Sequence, residues 1–494
     1  MDKSLVNEDL APVSKSQKNW TSFNFFTLWV GLSVQIPTYM MASSLIQGGM
    51  NWLQALITIL LGNVIVLIPM ILNGHAGVKY GIPYPVYARA SFGIRGSNIP
   101  ALLRALVACG WFGIQTWIGG TAIYTLVLYL WPGAANVGTG FADIIGISLV
   151  PFVCFMAFWF MNLYFIWRGI SSIKWLESFC TPFLILGGLA LLYWAYSNVD
   201  DFGTIFQNTS QFQSSAEFYE YFFPALTGII GFWATISLNI PDFTRYAKDQ
   251  KSQIIGQVLG LPTTMTFFAF IGVAVTSVTV LLYGEAIWDP ILLVQKFSNP
   301  IVVIPALIVV VMATLTTNVA ANVVSPANDF SNLAPQHINF KKGGLITGVI
   351  GIVIMPWKLI ADPTGYIFTW LIGYSALLGP IAGILLVDYF VVRKTKLDVN
   401  ALYQRNGIYS YKNGYNSKAM AALGIGIAPN VPGFLNQIGL YDADNLFGFL
   451  VPFYHYSWFI GLFISGIAYG MLMLSNSKEV IKGGEEDIAI QGAK

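Results

Sequence analysis

The sequence predicts an all-α membrane protein of twelve transmembrane helices. Three observations carry that prediction. Only 10% of the 494 residues are charged and 55% are hydrophobic, with a mean hydropathy of +0.64; a soluble domain carries about 25% charged residues. The charges are spaced so that uncharged runs long enough to span a bilayer lie between them. Lys and Arg then collect on one side of the membrane once those runs are counted as helices.

No Asp, Glu, Lys or Arg occurs between Lys18 and Lys79, which leaves room for two spans divided by "QGGMNW". The third and fourth lie between Arg104 and Asp143 and between Asp143 and Arg168. The fifth, sixth and seventh run from Glu177 to Asp200, Glu220 to Asp242 and Lys251 to Glu285. The eighth lies between Lys296 and Asp329, the ninth between Lys342 and Lys358, and the tenth between Asp362 and Asp388. The last two lie between Lys418 and Asp442 and between Asp444 and Lys478. The ninth is short, so Lys358 must snorkel toward the headgroups.

With the N-terminus inside, every Lys and Arg except Lys296 and Lys358 falls on the cytoplasmic side. Both termini are therefore expected in the cytoplasm, and the chain in the cell membrane. The expected organisation is a cytoplasmic tail (1–20), a first five-helix repeat (21–198), an extracellular loop (199–222) and a second five-helix repeat (223–394). Helices eleven and twelve with their preceding cytoplasmic loop follow (395–475), then a cytoplasmic tail (476–494) that reads as disordered. The opening "MDKSLVNEDLAPVSKSQKNW" is polar throughout, so insertion is expected to begin with the first span.

Several function classes are excluded at this level. A net charge of +2 is too small to suggest nucleic acid as a partner. Cys109, Cys154 and Cys180 lie in apolar stretches without a CxxC or Cys/His cluster and read as buried small hydrophobes. No Ser/His/Asp set, metal cluster or phosphate loop supports an enzyme. No catalytic residue, enzymatic cofactor or obligate protein partner is expected; the bilayer and a small molecule are. His75, at the cytoplasmic end of the second span, is either a satisfied interfacial histidine or a proton-sensitive gate; His337 and His455 are isolated, and neither is read as a ligand. Asp242 and Arg245 in "PDFTRY" are either a cytoplasmic gate pair or a cap with its topological signal. Asn208-Thr209-Ser210 fits a glycosylation pattern, and Glu177 reads as a snorkelling residue at a helix end.

Two spans look interrupted. In "FFTLWVGLSVQIPTYMMAS" Gly31 and Ser33 precede Gln35, and Pro37 removes a backbone donor. In "PALTGIIGFWATISLNIPDF" Gly228 and Gly231 precede Trp233, and Pro241 closes the segment. These are the opening helices of two five-span halves. Breaks at matching positions point to a transporter site made of discontinuous helices, although Gly and Pro also serve packing in membranes. The third and eighth spans match likewise. Trp111 and Gln115 are four apart and share a face, as do Asn318 and Asn322. A flat ring beside side-chain amides, with no charge mid-span, suits a neutral, planar, amide-rich substrate. Thr316 and Thr317, with carbonyls freed in a broken helix, suit a small cation; the alternative is hydroxyls bonded back to their own helix. A channel is the competing class, separated from a transporter by saturable, gradient-driven accumulation.

At these residues the sequence resembles the nucleobase–cation symporter-1 family of hydantoin, purine and pyrimidine permeases. The resemblance runs over nearly the whole chain. It is carried by "NGHAGVKYGIPYPVYARASFGIRGSNIPALLRA" (73–105), "WFGIQTW" (111–117), "GIIGFWATISLNIPDFTRY" (228–246) and "TTNVAANVVSPA" (316–327). It continues through "INFKKGGLITG" (338–348), "PWKLI" (356–360) and "LLGPIAGILLVDYFVVRK" (377–394). "NEDLAP" and "SLNIPDFTR" are most similar to the bacterial allantoin permeases.

The resemblance implies a LeuT-type fold: a 5+5 inverted repeat plus two extra helices, working by alternating access. It implies import of a neutral heterocycle or ureide, allantoin first, with uracil, cytosine or hydantoin as alternatives. The substrate ring would stack between Trp111 and Trp233, with Gln115 and Asn322 in polar contact and Gln35 and Asn318 nearby. Sodium, where used, would be held by carbonyls of Gly31, Val34 and Ala313 and by the hydroxyls of Thr316 and Thr317; a proton is the alternative coupling ion. Phe232 stands where the hydantoin transporter of the family has Gly, which changes the pocket wall and argues against bulky aryl-hydantoins.

Overall fold

The computed structural model describes residues 2–168, 170–207, 209–360 and 365–475. The expectations on Asn208, Asp362 and the 476–494 tail, and on the side chain of Glu177, lie outside what it describes. Among the described residues the regular structure is helical, with two isolated β-bridges.

The first predicted span is a bent pair, α1 (Ser22–Ser33) and α2 (Ile36–Gln47), with 61° between them. Next come α3 (Trp52–Tyr80), the short α4 (Tyr84–Phe92), α5 (Asn98–Leu130), α6 (Leu149–Arg168) and α7 (Ile170–Ser197). The second half opens with α8 (Ser215–Phe232) and α9 (Ala234–Asn239), then α10 (Gln250–Tyr283), α11 (Pro300–Asn322), α12 (Val324–Leu333), α13 (Phe340–Val353) and α14 (Ile372–Leu386). The last helices are α15 (Ser417–Ile427) and α16 (Ser457–Leu474). Each of the eleven uncharged runs holds helix, the first of them the bent pair and α3. Among the described residues seven helical stretches are long and apolar enough to cross a membrane, and the bent pair makes eight.

The helix ends follow local chemistry. Asn51 caps α3 by accepting from Gln54 N at 2.9 Å, and Gln54 Oε1 accepts from Asn51 N at 3.0 Å, a reciprocal box that satisfies two orphan donors. Gly81 then ends α3 at φ 71°, the left-handed conformation Gly adopts without a Cβ clash. Asp249 caps α10 through Ser252 N at 2.7 Å.

The helices pack as two groups. In one, α1, α2 and α3 lie against α10, with α8 and α9 against α3; in the other, α5 lies against α6, α11, α12 and α13. Gly260 lets α1 lie close to α10, because a Cβ there would meet Trp29 Cδ1 at 2.7 Å. Helix α14 touches both groups and packs along α16. Beyond its end, Asp388 accepts from Ser91 Oγ at 2.9 Å, Arg393 Nε at 2.7 Å and Tyr469 Oη at 2.6 Å. That buried carboxylate is fully partnered, which is what buried charge requires.

Candidate functional site

The bend in the first span comes from the sequence Val34-Gln35-Ile36-Pro37. Val34 (φ −83°, ψ 78°) and Gln35 (φ −147°, ψ 155°) leave helical geometry. Pro37 has no N–H to return to Ser33; Gln35 N donates to Ser33 O at 3.0 Å instead, and Thr38 N to Gln35 O at 3.1 Å. Those are the amides that would have closed the helix on Gly31 O and Val34 O, so both carbonyls are released from the ladder. In the second half the break falls on Trp233 (φ −104°, ψ 2°), between α8 and α9. Gly231 makes room for α14 there: an added Cβ would meet Leu371 O at 2.6 Å. Tyr374 Oη donates to Gly231 O at 2.8 Å, so the tenth span holds the broken sixth.

The two breaks and the third span meet. Gln115 Nε2 donates to Gln35 Oε1 at 2.8 Å, and Gln35 Nε2 donates to Leu32 O at 2.6 Å. Trp111 meets Phe232 edge to face with ring centroids 5.1 Å apart, and Phe232 meets Trp233 in the same way at 5.0 Å. Phe232 thus lies between the two indoles expected to sandwich a substrate. Trp111 also meets Trp370 at 5.9 Å and Tyr374 at 6.5 Å, so the tenth span supplies a third aromatic wall. Gln35, Trp111, Gln115, Phe232, Trp233 and Asn322 are all under 10% exposed. Among them, Gln115 Oε1 and Trp233 Nε1 are buried without a hydrogen-bond partner.

Asn318 is held differently from Asn322. Its Nδ2 lies within hydrogen-bond range of Phe112 O (3.2 Å), Thr116 Oγ1 (3.1 Å) and Asn162 Oδ1 (3.2 Å), and its Oδ1 accepts from Asn322 Nδ2 at 3.0 Å. It ties α11 to α5 and α6 and orients Asn322, the last residue of α11. All of its polar contacts are internal to that helix group.

The oxygen set for a cation can be tested against local bonding. Thr316 Oγ1 donates to Met312 O at 2.7 Å and Thr317 Oγ1 to Ala313 O at 3.2 Å. This is the back-bonded form, and it turns the hydroxyl protons along the helix while leaving oxygen lone pairs free. Val34 and Ala313 belong to one apolar cluster, which brings the first break beside α11. The first span thus releases the Gly31 and Val34 carbonyls while Thr316 and Thr317 keep oxygen lone pairs on the eighth, and such oxygens are the donor type a hard monovalent cation takes. Among the described residues no group of three or more His, Cys, Asp or Glu is placed to hold a metal ion.

Below the centre, toward the face that carries the N-terminal segment, lies a charged cluster that the sequence reasoning missed. Arg104 Nη1 is 3.1 Å from Asp329 Oδ2, both side chains fully buried. Arg104 Nη2 donates to Asn239 Oδ1 at 2.9 Å, and Asn239 Nδ2 donates to Ser325 Oγ. The signal available was a basic residue near the start of the third span and an acidic one near the end of the eighth. Tyr374 and Trp370 were missed too, because nothing in an apolar tenth span marks which aromatic faces inward. The alternative of an Asp242–Arg245 gate pair is not realised as an ion pair. Asp242 Oδ1 accepts from Tyr84 N at 2.9 Å, while Arg245 Nη1 reaches Asp9 O at 2.8 Å; each finds a backbone partner. His75 Nδ1 is paired with Tyr389 Oη at 2.9 Å, and the three cysteines are buried and free.

Comparison with known proteins gives this geometry a context. Residues 12–461 match the family described as permease for cytosine/purines, uracil, thiamine, allantoin. A purine-uracil permease of Arabidopsis thaliana is 46% identical over 96% of this chain and 78% of its own length. The allantoin permease of Bacillus subtilis (strain 168) is 42% identical over 95% of this chain and 93% of its own. Mhp1, described as a nucleobase-cation-symport-1 family transporter, was solved in a closed conformation with bromovinylhydantoin bound. That structure superposes with a TM-score of 0.78 at 26% identity, covering 96% of this chain and 97% of its own. The chain therefore belongs to the permease family for cytosine/purines, uracil, thiamine and allantoin, and it is a multi-pass membrane transporter rather than an enzyme.

Proposed function

We propose that the protein imports allantoin, or a closely similar neutral ureide ring, across the cell membrane by alternating access, with both termini in the cytoplasm. The observation that carries this is that Gln115 Oε1 and Trp233 Nε1, an acceptor and a donor in the centre, are both buried without partners. A buried polar atom left unpaired costs about 1–3 kcal/mol. A ligand offering N–H and C=O side by side relieves both. In the substrate-bound state the ring takes the space of Phe232 between Trp111 and Trp233, the Gln35–Gln115 pair presents its amide edge, and Asn322 supplies a second carboxamide. Sodium, at Gly31, Val34, Ala313, Thr316 and Thr317, is the coupling ion that the oxygen set favours; the Na+-coupled sialic acid symporter among the structural matches, at 14% identity, speaks only to the fold.

The identity of 46% to a purine-uracil permease favours a second reading, uracil or a purine base in the same site. Uptake of labelled allantoin into cells expressing the protein, with unlabelled uracil, cytosine and hydantoin as competitors, separates the two. Trp233→Ala and Asn322→Ala must each abolish uptake while the protein still reaches the membrane. Unchanged transport in both would remove this site. Uptake that rises with sodium at fixed pH and ionic strength supports the cation reading, and uptake indifferent to sodium but driven by a pH gradient replaces it with a proton.

A further inference from the structure

Helices α6 and α13, the fourth and ninth predicted spans, close on each other through two glycines. A Cβ on Gly344 would meet Ile166 Cγ2 at 2.5 Å, and one on Gly348 would meet Leu163 Cδ2 at 3.2 Å. Trp159 Nε1 donates to Gly348 O at 2.8 Å. This packing sets the end of α6 beside the start of α13, on the face that carries the N-terminal segment, where Asn7 Nδ2 reaches Ile338 O at 3.4 Å. There the Lys341 ammonium lies over the Trp167 ring, 5.4 Å from its centroid, and the Arg168 guanidinium lies over the Tyr164 ring at 5.2 Å. Trp167 and Tyr164 are three apart and share a face of α6. Two cations, one from each helix, are thus held on neighbouring rings.

Neither cation has an anion. Among the described residues no carboxylate lies within ion-pair distance of Arg168 or Lys341. Arg168 gives one N–H to Tyr164 Oη at 2.8 Å, and the Lys341 ammonium makes no hydrogen bond among the described residues. The surface leading away from them along the bilayer is apolar and uncovered. Phe160 on α6 is exposed, and so are Leu345, Val349 and Val353 on α13, the last by 71%. Those three follow Lys341 at four-residue intervals and form one stripe of the helix. From Lys341 to Val353 the stripe runs about 18 Å, slightly more than the roughly 15 Å of one hydrocarbon leaflet.

We propose that this surface is a site for an anionic glycerophospholipid of the leaflet on that face. The phosphate oxygens accept from Arg168 and Lys341. Trp167 and Tyr164 lie at the depth of the glycerol, where amphipathic rings belong, and an acyl chain follows Phe160, Leu345 and Val349. Basic pockets between membrane helices take such headgroups. The charge selects a net-negative lipid, because a zwitterionic headgroup brings a cation of its own to a place that already has two and no anion. One headgroup touches the fourth and ninth spans together, so the lipid clasps this helix pair. The inference goes beyond the transport reading and does not depend on which molecule is carried; it needs only that the chain spans a membrane.

The test uses the full-length protein in vesicles of phosphatidylcholine and phosphatidylglycerol, with one lipid at a time brominated near the carbonyl end of its chains. The signal is the part of the tryptophan quenching that disappears in Trp167→Phe, which reports the lipid beside that ring. A basic residue beside an anionic headgroup is worth about fivefold in affinity, so two of them predict about a 30-fold preference for phosphatidylglycerol in the wild type. Arg168→Gln and Lys341→Gln should each lower the preference about fivefold, and the two together should bring it within about twofold of parity. Arg168→Lys with Lys341→Arg keeps both charges and should keep most of the preference. Lys412→Gln removes an exposed lysine of the loop before α15 and should leave it unchanged. No Trp167 quenching by either lipid, no preference in the wild type, or a preference untouched in the double glutamine variant would overturn the proposal. An equal loss in Lys412→Gln would overturn it as well and assign the effect to general surface charge. Uptake of allantoin is measured separately, so failure here leaves the transport reading standing.

Discussion

Replacing Gln115 by Leu removes a side chain of similar size and one specific set of bonds. Two consequences follow from the geometry. Gln35 Oε1, which accepts from Gln115 Nε2 at 2.8 Å, is left buried without its donor, and a ligand N–H loses the unpaired Gln115 Oε1. Leaving a buried polar group unsatisfied costs about 1–3 kcal/mol, so substrate binding should weaken about 5- to 150-fold. Gln35→Leu alone should weaken binding less, because it removes a residue that positions Gln115 while leaving Gln115 able to meet the ligand. The double variant should cost less than the sum of the two, since the bond between them is counted twice. A coupling of about 0.5–3 kcal/mol is expected for residues in direct contact. The assay is a double-mutant cycle on Kd by tryptophan fluorescence, with Tm of each variant recorded in the same detergent. Additive single effects, or a Gln115→Leu variant that binds within twofold of the wild type, would refute the amide pair as part of the site.

Three further outcomes are expected. Arg104→Ala strands Asp329 as a buried unpaired carboxylate and should cost about 3–5 kcal/mol of stability, while Arg104→Met with Asp329→Leu should recover much of it; Tm in detergent decides. Phe232→Gly opens the space between Trp111 and Trp233, so bulky 5-aryl hydantoins should compete at least about tenfold better against uptake than they do in the wild type. Asp289, in the segment between α10 and α11, caps a short helix through Ile291 N at 2.8 Å, and burial pushes its carboxyl up to about 6. Its folded form holds a proton more tightly than the unfolded chain does, so the stabilisation is full below about 4 and is lost as pH rises through about 6. Asp289→Asn, which keeps the cap acceptor, should raise Tm at pH 7.5 by a margin that shrinks as pH falls; a margin independent of pH would contradict this.

Much of the molecule was legible in the chain because membrane folding leaves a coarse signature. A charge cannot sit in the bilayer without a partner, so the gaps between charges outline the helices, and helix lies in each of the eleven uncharged runs. Pro37 in the first span, and Gly228 and Gly231 before Trp233 in the sixth, marked the two breaks, since a missing donor and small residues act locally. The pairs at helical spacing, Trp111 with Gln115 and Asn318 with Asn322, fell on the third and eighth spans that line the centre. What a face touches is another matter. Asn318 and Asn322 share a face by periodicity, yet Asn318 Nδ2 turns to α5 and α6 while its Oδ1 accepts from Asn322.

Composition and periodicity by themselves determined the class, where helix falls between the charges, the two discontinuities and a polar, uncharged centre. These depend on one residue or on its neighbours a turn away. Only the tertiary structure decided that Gln35 bonds Gln115 across 80 residues of chain, that Phe232 lies between the two indoles, and that Tyr374 holds the Gly231 carbonyl. Only it paired Arg104 with Asp329. The physical reason is that hydrogen bonds and ring contacts act over a few ångströms. Which distant residues come within that range is set by how whole helices pack, not by local propensity.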